Sequence, residues 1–448
     1  MVSITAALRL VKDDLPERLD DHVREALAQC PDHTWRERVL NPFATIYLFI
    51  TQVLHGNTAI EHLRHLSGMT CSAWAYCQAR MRLPLEVIQQ VGALIAGDLF
   101  EAGQAEARWR GHRLWWADGS SFSMPDTPAL QARFGQPGGQ AQGCGFPVAT
   151  LLTLCSKAGY IVKALALPLR THEASQIRSL HDQMEPHDVL VADRGFCSYV
   201  HLALLLSREM HAIFRIHQRQ IVDFTSHRKQ RRQHPKGQRK GKPTSAWIKR
   251  LDREDQHARW FKPDDRPAWM TQEDYDALPD SLVVRELRFL ARRKGFRSRT
   301  ITLVTTLLDP QAYPAAELAE QYLGRWQIEV NFRHLKTTMG LEALKCRTVD
   351  GVLKELAIYI LVYNLVRHVM LKAARRQGVP VDRISFLDAL RLLESAANPN
   401  EWIDLIVNPA RPGRVQPRVL KRRKKEYPLM TLPRQKLIQL LMERHLAA

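Results

Sequence analysis

The sequence has no CxxC pair, and its seven cysteines (Cys30, Cys71, Cys77, Cys144, Cys155, Cys197 and Cys346) are odd in number and scattered. This speaks against a disulfide framework or a cysteine-built zinc site and fits a reducing cytoplasm. No apolar run reaches the roughly 18 residues that a membrane span needs. The richest stretch, Leu356 to Val366, is interrupted by Tyr359, Tyr363 and Asn364. The N-terminal segment MVSITAALRLVKDDLPERLDD lacks a basic stretch followed by an apolar one, so export is not expected. The 18 histidines form no HExxH pattern. The glycine-rich GQPGGQAQGCGFP (135–147) matches neither GxxxxGK[ST] nor GxGxxG before a helix. It is therefore expected to be a flexible loop near the site, and no nucleotide cofactor is expected.

What the chain does have is positive charge. Its 448 residues carry 65 Lys and Arg against 46 Asp and Glu, a net charge of +19. Hydrophobic residues make up 45%, which is globular. An excess of cations on a globular chain points to a polyanion, with nucleic acid first and an anionic membrane surface second. Two segments concentrate the charge. Residues 226–250 hold many basic residues and no acid, and 411–428 are again densely basic. Contact with DNA is the expected use of both.

Residues 1 to about 105 read as short helices. Pro42 stands at a helix start, with Phe43, Ile46, Tyr47, Ile50 and Val53 at helical spacing, and Gly56 and Pro84 are breaks. From Arg113 the pattern changes. RLWWAD, PVATLLTLCS, YIVKALALPL, DVLVAD and HAIFRI are strand-like, and 173–184 and 198–209 are helical. Strands mixed with helices predict a mixed α/β sheet. Residues 217 to 300 break that pattern and read as a basic, partly β insertion. A helix from Pro314 to Met339 follows, then one from Val349 to Arg376 whose apolar residues mark it as core.

Two acids stand at strand ends. Asp118 follows LWWA and Asp193 follows VLVA. Adjacent strands would hold the two carboxylates side by side, where hard oxygen ligands suit Mg²⁺ or Mn²⁺. Taken alone, either Asp reads more readily as a turn cap than as a ligand. The helix QYLGRWQIEVNFRHLKTT adds weight. Tyr322, Arg325, Glu329 and Lys336 fall within an arc of about 60° on an ideal helix. Leu323, Trp326 and Val330 flank this polar stripe on one side, and Ile328, Phe332 and Leu335 on the other. The spacing therefore predicts a helix seated in a groove with its polar face toward the acids. His172 and Glu173, which open the helix after the third strand, read as capping or surface residues.

Tyr322, Arg325, Glu329 and Lys336 form a Tyr-x2-Arg-x3-Glu-x6-Lys pattern that resembles the signature of the insertion sequence 4 family of DDE transposases. ADGSSF around Asp118 and VADRGF around Asp193 resemble that family's first two catalytic segments. The resemblance runs from about 105 to 345. It implies a ribonuclease H-like catalytic core with a β-rich insertion, a helical N-terminal domain and a helical C-terminal region. The implied boundaries are 1–105 for the N-terminal DNA-binding domain, 106–216 and 301–345 for the two parts of the core, 217–300 for the insertion and 346–448 for the C-terminal region.

It further implies that Asp118, Asp193 and Glu329 bind Mg²⁺, with Mn²⁺ able to substitute. Tyr322, Arg325, Lys336 and Arg194 are then expected to contact double-stranded DNA, both the element's terminal inverted repeats and the target. The implied activity is two-metal cleavage at the element ends followed by strand transfer, in a dimer on DNA. Trp247, Trp260, Trp269 and Phe296 are candidates for stacking a flipped base. Two alternatives stand beside this reading: a ribonuclease H-like nuclease without strand transfer, and a catalytically silent DNA-binding protein derived from a transposase. The second would suit a chain lacking one of the three acids, and all three are present.

Overall fold

The computed structural model describes residues 2–35, 38–68, 70–171, 173–228, 241–291, 299–396, 403–409 and 429–446. His172, Phe296, the tail 411–428 and the middle of the basic segment 226–250 lie outside them.

Ten strands are found among the described residues: β1 (Arg108–Trp109), β2 (His112–Ser123), β3 (Val148–Ser156), β4 (Ile161–Pro168), β5 (Val189–Ala192), β6 (His211–Arg215), β7 (Thr244–Asp252), β8 (Asp255–Phe261), β9 (Ser281–Ala291) and β10 (Arg299–Thr305). They form one mixed sheet in the order β4-β3-β2-β5-β6-β10-β9-β8-β7, with β1 beside β2. β2, β3 and β4 are antiparallel neighbours, whereas β5 runs parallel to both β2 and β6. Local sequence explains the first hairpin. Gly159 takes φ +92°, a left-handed turn that an L side chain resists, and Ser156 N–H bonds Tyr160 O at 2.8 Å. β5 is VLVA with every residue buried, as a central parallel strand covered on both faces requires. The helix Tyr199–Leu206, capped by Ser198, carries the chain from β5 over to β6.

Two findings differ from the sequence expectation. β2 does not stop at Asp118. It runs on to Ser123 because β3 pairs with it along that length. The strands of the insertion also extend the same sheet: β10, which falls in the second part of the core, pairs β6 through Leu303 and Arg215, and β9, β8 and β7 of the insertion follow in turn.

The helix Val349–Gln377 is the spine of the helical part. Thr348 caps its start and Gly378, at φ 62°, ends it. It is buried along most of its length, with N-terminal helices packed on it. Asn57 Nδ2 donates to Glu355 Oε1 at 2.6 Å, Lys354 Nζ to the Arg80 and Met81 carbonyls, and Lys372 Nζ to Leu10 O. One contiguous apolar cluster runs from Ile4 through the sheet to Leu405. Among the described residues, no single helix is long and apolar enough to cross a membrane.

Candidate active site

Register brings the first two acids together. β2 and β5 pair in parallel from Leu114–Val189 to Ala117–Ala192. The next residues are Asp118 and Asp193. Parallel neighbours lie about 4.8 Å apart and point the same way, so both carboxylates leave the sheet side by side at the carboxyl end of the strand pair.

The segment carrying the other four residues is not one helix. It runs as Ala315–Gly324, then Gln327–Arg333, then a π turn over His334–Thr338. Between the first two, the N–H groups of Arg325, Trp326, Ile328 and Glu329 bond carbonyls three residues back, a tightening that an ideal wheel does not anticipate. The polar residues still meet the strand ends. Tyr322 Oη donates to Asp193 Oδ1 at 3.1 Å, Arg325 Nη1 to Asp118 Oδ2 at 2.6 Å, and Lys336 Nζ to Ser120 Oγ at 3.4 Å. Arg325 Nη2 lies 4.0 Å from Glu329 Oε1. Only one apolar flank is seated. Ile328, Phe332 and Leu335 are buried, but Leu323 is 38% exposed and Trp326 52%, so the helix lies on the protein with one side open.

Asp118, Asp193, Arg325, Glu329 and Lys336 line one open cleft of about 470 Å³, together with Gly119, Ser120 and Arg333. Burial raises the Asp118 carboxyl, Arg325 works against the shift, and the charge of Asp193 adds to it. Burial also raises Glu329, again opposed by Arg325 and reinforced by Asp118 and Asp193. The Tyr322 phenol is pushed up to about 12 by burial and by Asp193, so it remains a donor. Arg325 is 4% exposed and is the buried cation of this acidic group.

Other expectations fare differently. Arg194 does not line the cleft and donates to Gln218 Oε1 at 2.6 Å. Arg215, which sequence reasoning passed over, brings Nη1 to 3.9 Å from Asp193 Oδ1. Its signal was available: it closes HAIFR, the strand beside VLVA. Glu173 is not a bland surface residue, because its carboxylate lies against Gly119 beside Asp118. Trp260 is fully buried with Nε1 donating to Glu286 Oε1 at 2.7 Å, which suits packing and not base stacking. Trp269 packs against the core, and Trp247 lies against His227. The glycine-rich loop stays out of the cleft lining and is tied by Gln136, whose amide bonds the Gln140 and Ala141 carbonyls and Gly143 N–H.

Among the described residues, no three His, Cys, Asp or Glu side chains stand close enough to hold a metal ion as they lie. Arg325 reaches toward both Asp118 and Glu329. The donor set nevertheless suits a hard divalent cation, since it consists of carboxylate oxygens that raise one another's affinity for positive charge and share one buried guanidinium.

The family model for the transposase DDE domain matches residues 109–365. The transposase InsG for insertion sequence element IS4 of Escherichia coli (strain K12) is 25% identical over 375 residues, covering 79% of this chain and 77% of that protein. A cryo-EM structure of the piggyBac transposase synaptic complex with hairpin DNA superposes with TM-score 0.46 at 10% identity, over 89% of this chain and 80% of that one, a likeness too slight to bear on the assignment. The matched span contains both strand-end acids, the Glu329 helix and strands β2 to β10, and the chain belongs to the insertion sequence 4 family of DDE transposases.

Proposed function

We propose that this transposase cuts the ends of its own DNA element by metal-dependent phosphoryl transfer and joins the freed 3′-hydroxyls to target DNA. The observation that carries this is the parallel register that sets Asp118 beside Asp193, with Glu329 lining the same cleft. The strand order β4-β3-β2-β5-β6, with β5 parallel to both neighbours, supports a ribonuclease H-like core.

Asp118, Asp193 and Glu329 would hold Mg²⁺, or Mn²⁺ in its place. Once bound, the metal supplies Lewis-acid charge that activates the attacking hydroxyl and stabilises the leaving oxygen. Arg325 holds Asp118 in place, and Tyr322 holds Asp193 by the hydrogen bond to its Oδ1. Lys336, Arg333 and Arg215 line or border the acids and offer donors to DNA phosphates. In the first step a water oxygen replaces the bridging 3′-oxygen at phosphorus. In the second, that 3′-oxygen displaces a target 3′-oxygen. The first step consumes one water and yields a 3′-hydroxyl and a 5′-phosphate, and the second exchanges one phosphodiester for another, so no nucleotide is consumed. Double-stranded DNA, as inverted-repeat ends and as target, is the partner, which the net charge of +19 favours. Two ends cut together imply at least a dimer, acting in the cytoplasm.

The test incubates wild type and Glu329→Gln with Mg²⁺, a duplex carrying the ends of the element and a target plasmid. Cleaved and joined products from wild type alone are expected. Cleavage without joining would favour a plain nuclease. Retained end binding without cleavage under either Mg²⁺ or Mn²⁺ would favour a silent DNA-binding protein.

A further inference from the structure

Gly119 follows the first catalytic aspartate, and its backbone does not require glycine, since its φ lies outside the left-handed range. Space requires it. A Cβ at this position would stand 2.7 Å from the Glu173 carboxyl carbon and closer still to Glu173 Oε1. Glu173 opens the short 3-10 turn Glu173–Gln176 after β4 and reaches back over β2. Its carboxylate is partly buried, and among the described residues it has no hydrogen bond and no ion pair. Burial raises its proton affinity, and the charge of Asp118 raises it further. An unpaired, half-buried carboxylate beside another carboxylate is unfavourable unless a cation serves both. Arg325 does not do so: its Nη1 is committed to Asp118 and its Nη2 points toward Glu329.

We propose that Glu173 is a fourth carboxylate of the metal site, lying on the Asp118 side, and that Gly119 is the gap through which it reaches a hard divalent cation. The inference rests on the metal-dependent reading of the cleft. Glu173 adds charge and a hard oxygen donor where Asp118 stands, either on the ion itself or on a water bound to it.

The test measures Mn²⁺ binding to the full-length chain, with and without the end duplex, from the electron paramagnetic resonance signal of free Mn²⁺. Wild type, Asp118→Asn, Glu173→Gln and Gly119→Ala are compared, with thermal unfolding as the check on folding. Glu173→Gln is expected to weaken Mn²⁺ binding by about 10- to 100-fold, the usual cost of losing a supporting carboxylate. Gly119→Ala removes no carboxylate but displaces Glu173, and a loss in the same direction is expected. Both variants should bind the end duplex in EDTA as wild type does, which a general structural defect would not allow. Wild-type Mn²⁺ affinity in folded Glu173→Gln or Gly119→Ala, with affinity lost in Asp118→Asn, would overturn the proposal and leave the cleavage mechanism standing. No Mn²⁺ binding by wild type in either condition would remove both.

Discussion

The two ends of the β2–β5 strand pair hold the same kind of chemistry in opposite states. At the amino end, Asp188 precedes Val189 and is saturated. It accepts from Arg113 Nε at 2.8 Å and Nη2 at 2.7 Å, from Trp115 Nε1 at 2.7 Å and from Glu185 N–H at 2.9 Å. At the carboxyl end, Asp118, Asp193 and Glu329 stand around a single buried guanidinium that makes one close bond, while its buried Nε has no partner among the described residues. The sheet extension repeats the first state: Arg285 grips Asp255 through Nε at 2.8 Å and Nη2 at 2.5 Å, fully buried. A buried ion pair that satisfies itself is part of the scaffold. A cluster with more acceptors than donors, facing an open cleft, has capacity left for something that is not protein.

The largest test of this contrast exchanges the two ends. Asp118→Asn should lower end cleavage on the order of 10³-fold or more while the protein stays folded. Asp188→Ala should do the reverse. It takes away Arg113's two-point partner, leaving it only the exposed Glu185, and strips Trp115 Nε1 and Glu185 N–H of their acceptor, costing up to about 3–5 kcal/mol in stability, with cleavage per folded molecule retained. Denaturant midpoints beside cleavage rates would separate the two. Equal losses of activity and stability at both sites would erase the distinction.

A smaller effect comes from buried groups that stay neutral. His201 Nδ1 meets Phe196 O at 2.8 Å and its Nε2 meets His181 Nε2 at 2.9 Å. The geometry accommodates one shared proton and no cation. Burial drives His181 down to about 2 and His201 down to about 4. Their folded values lie below the ordinary value of about 6.5, so the unfolded chain takes up protons first. The stability they contribute is present above about pH 6.5 and is lost as pH falls toward their folded values, by up to about 1.4 kcal/mol per unit per group. Between pH 7 and 5 the stability of wild type should therefore fall more steeply than that of His201→Gln, which chemical denaturation at both pH values would reveal. Parallel slopes would contradict this.

Smallest is Lys336→Ala. If Lys336 meets a phosphate, end binding should weaken modestly, and the slope of log affinity against log salt should drop by about one. An unchanged slope would confine Lys336 to its bond with Ser120.

Much of the layout is legible from local sequence. The apolar runs RLWWAD, DVLVAD and HAIFRI became β2, β5 and β6, and Pro42 and Pro84 mark helix starts. What was not legible depends on distant pairing or on departures from ideal geometry. The β character of 300–308 marks the return of the core, but nothing in it says that β10 would carry the sheet onward into β9, β8 and β7. The helix wheel through Arg325 assumed 100° per residue across a segment that tightens and then ends in a π turn, and the wheel counted two apolar flanks where one is exposed. Glu173 looked like a cap because its neighbour across the sheet, Gly119, lies far away in sequence.

The most direct measurement replaces Mg²⁺ with Fe²⁺ and uses ascorbate to generate hydroxyl radicals at the bound ion, with the cut polypeptide mapped by mass spectrometry. Cuts clustered near Asp118, Asp193 and Glu329, suppressed by excess Mg²⁺ and absent around Arg113 and Asp188, are the predicted result. Cuts at the amino end of the strand pair, or none that Mg²⁺ suppresses, would contradict a cation site at its carboxyl end.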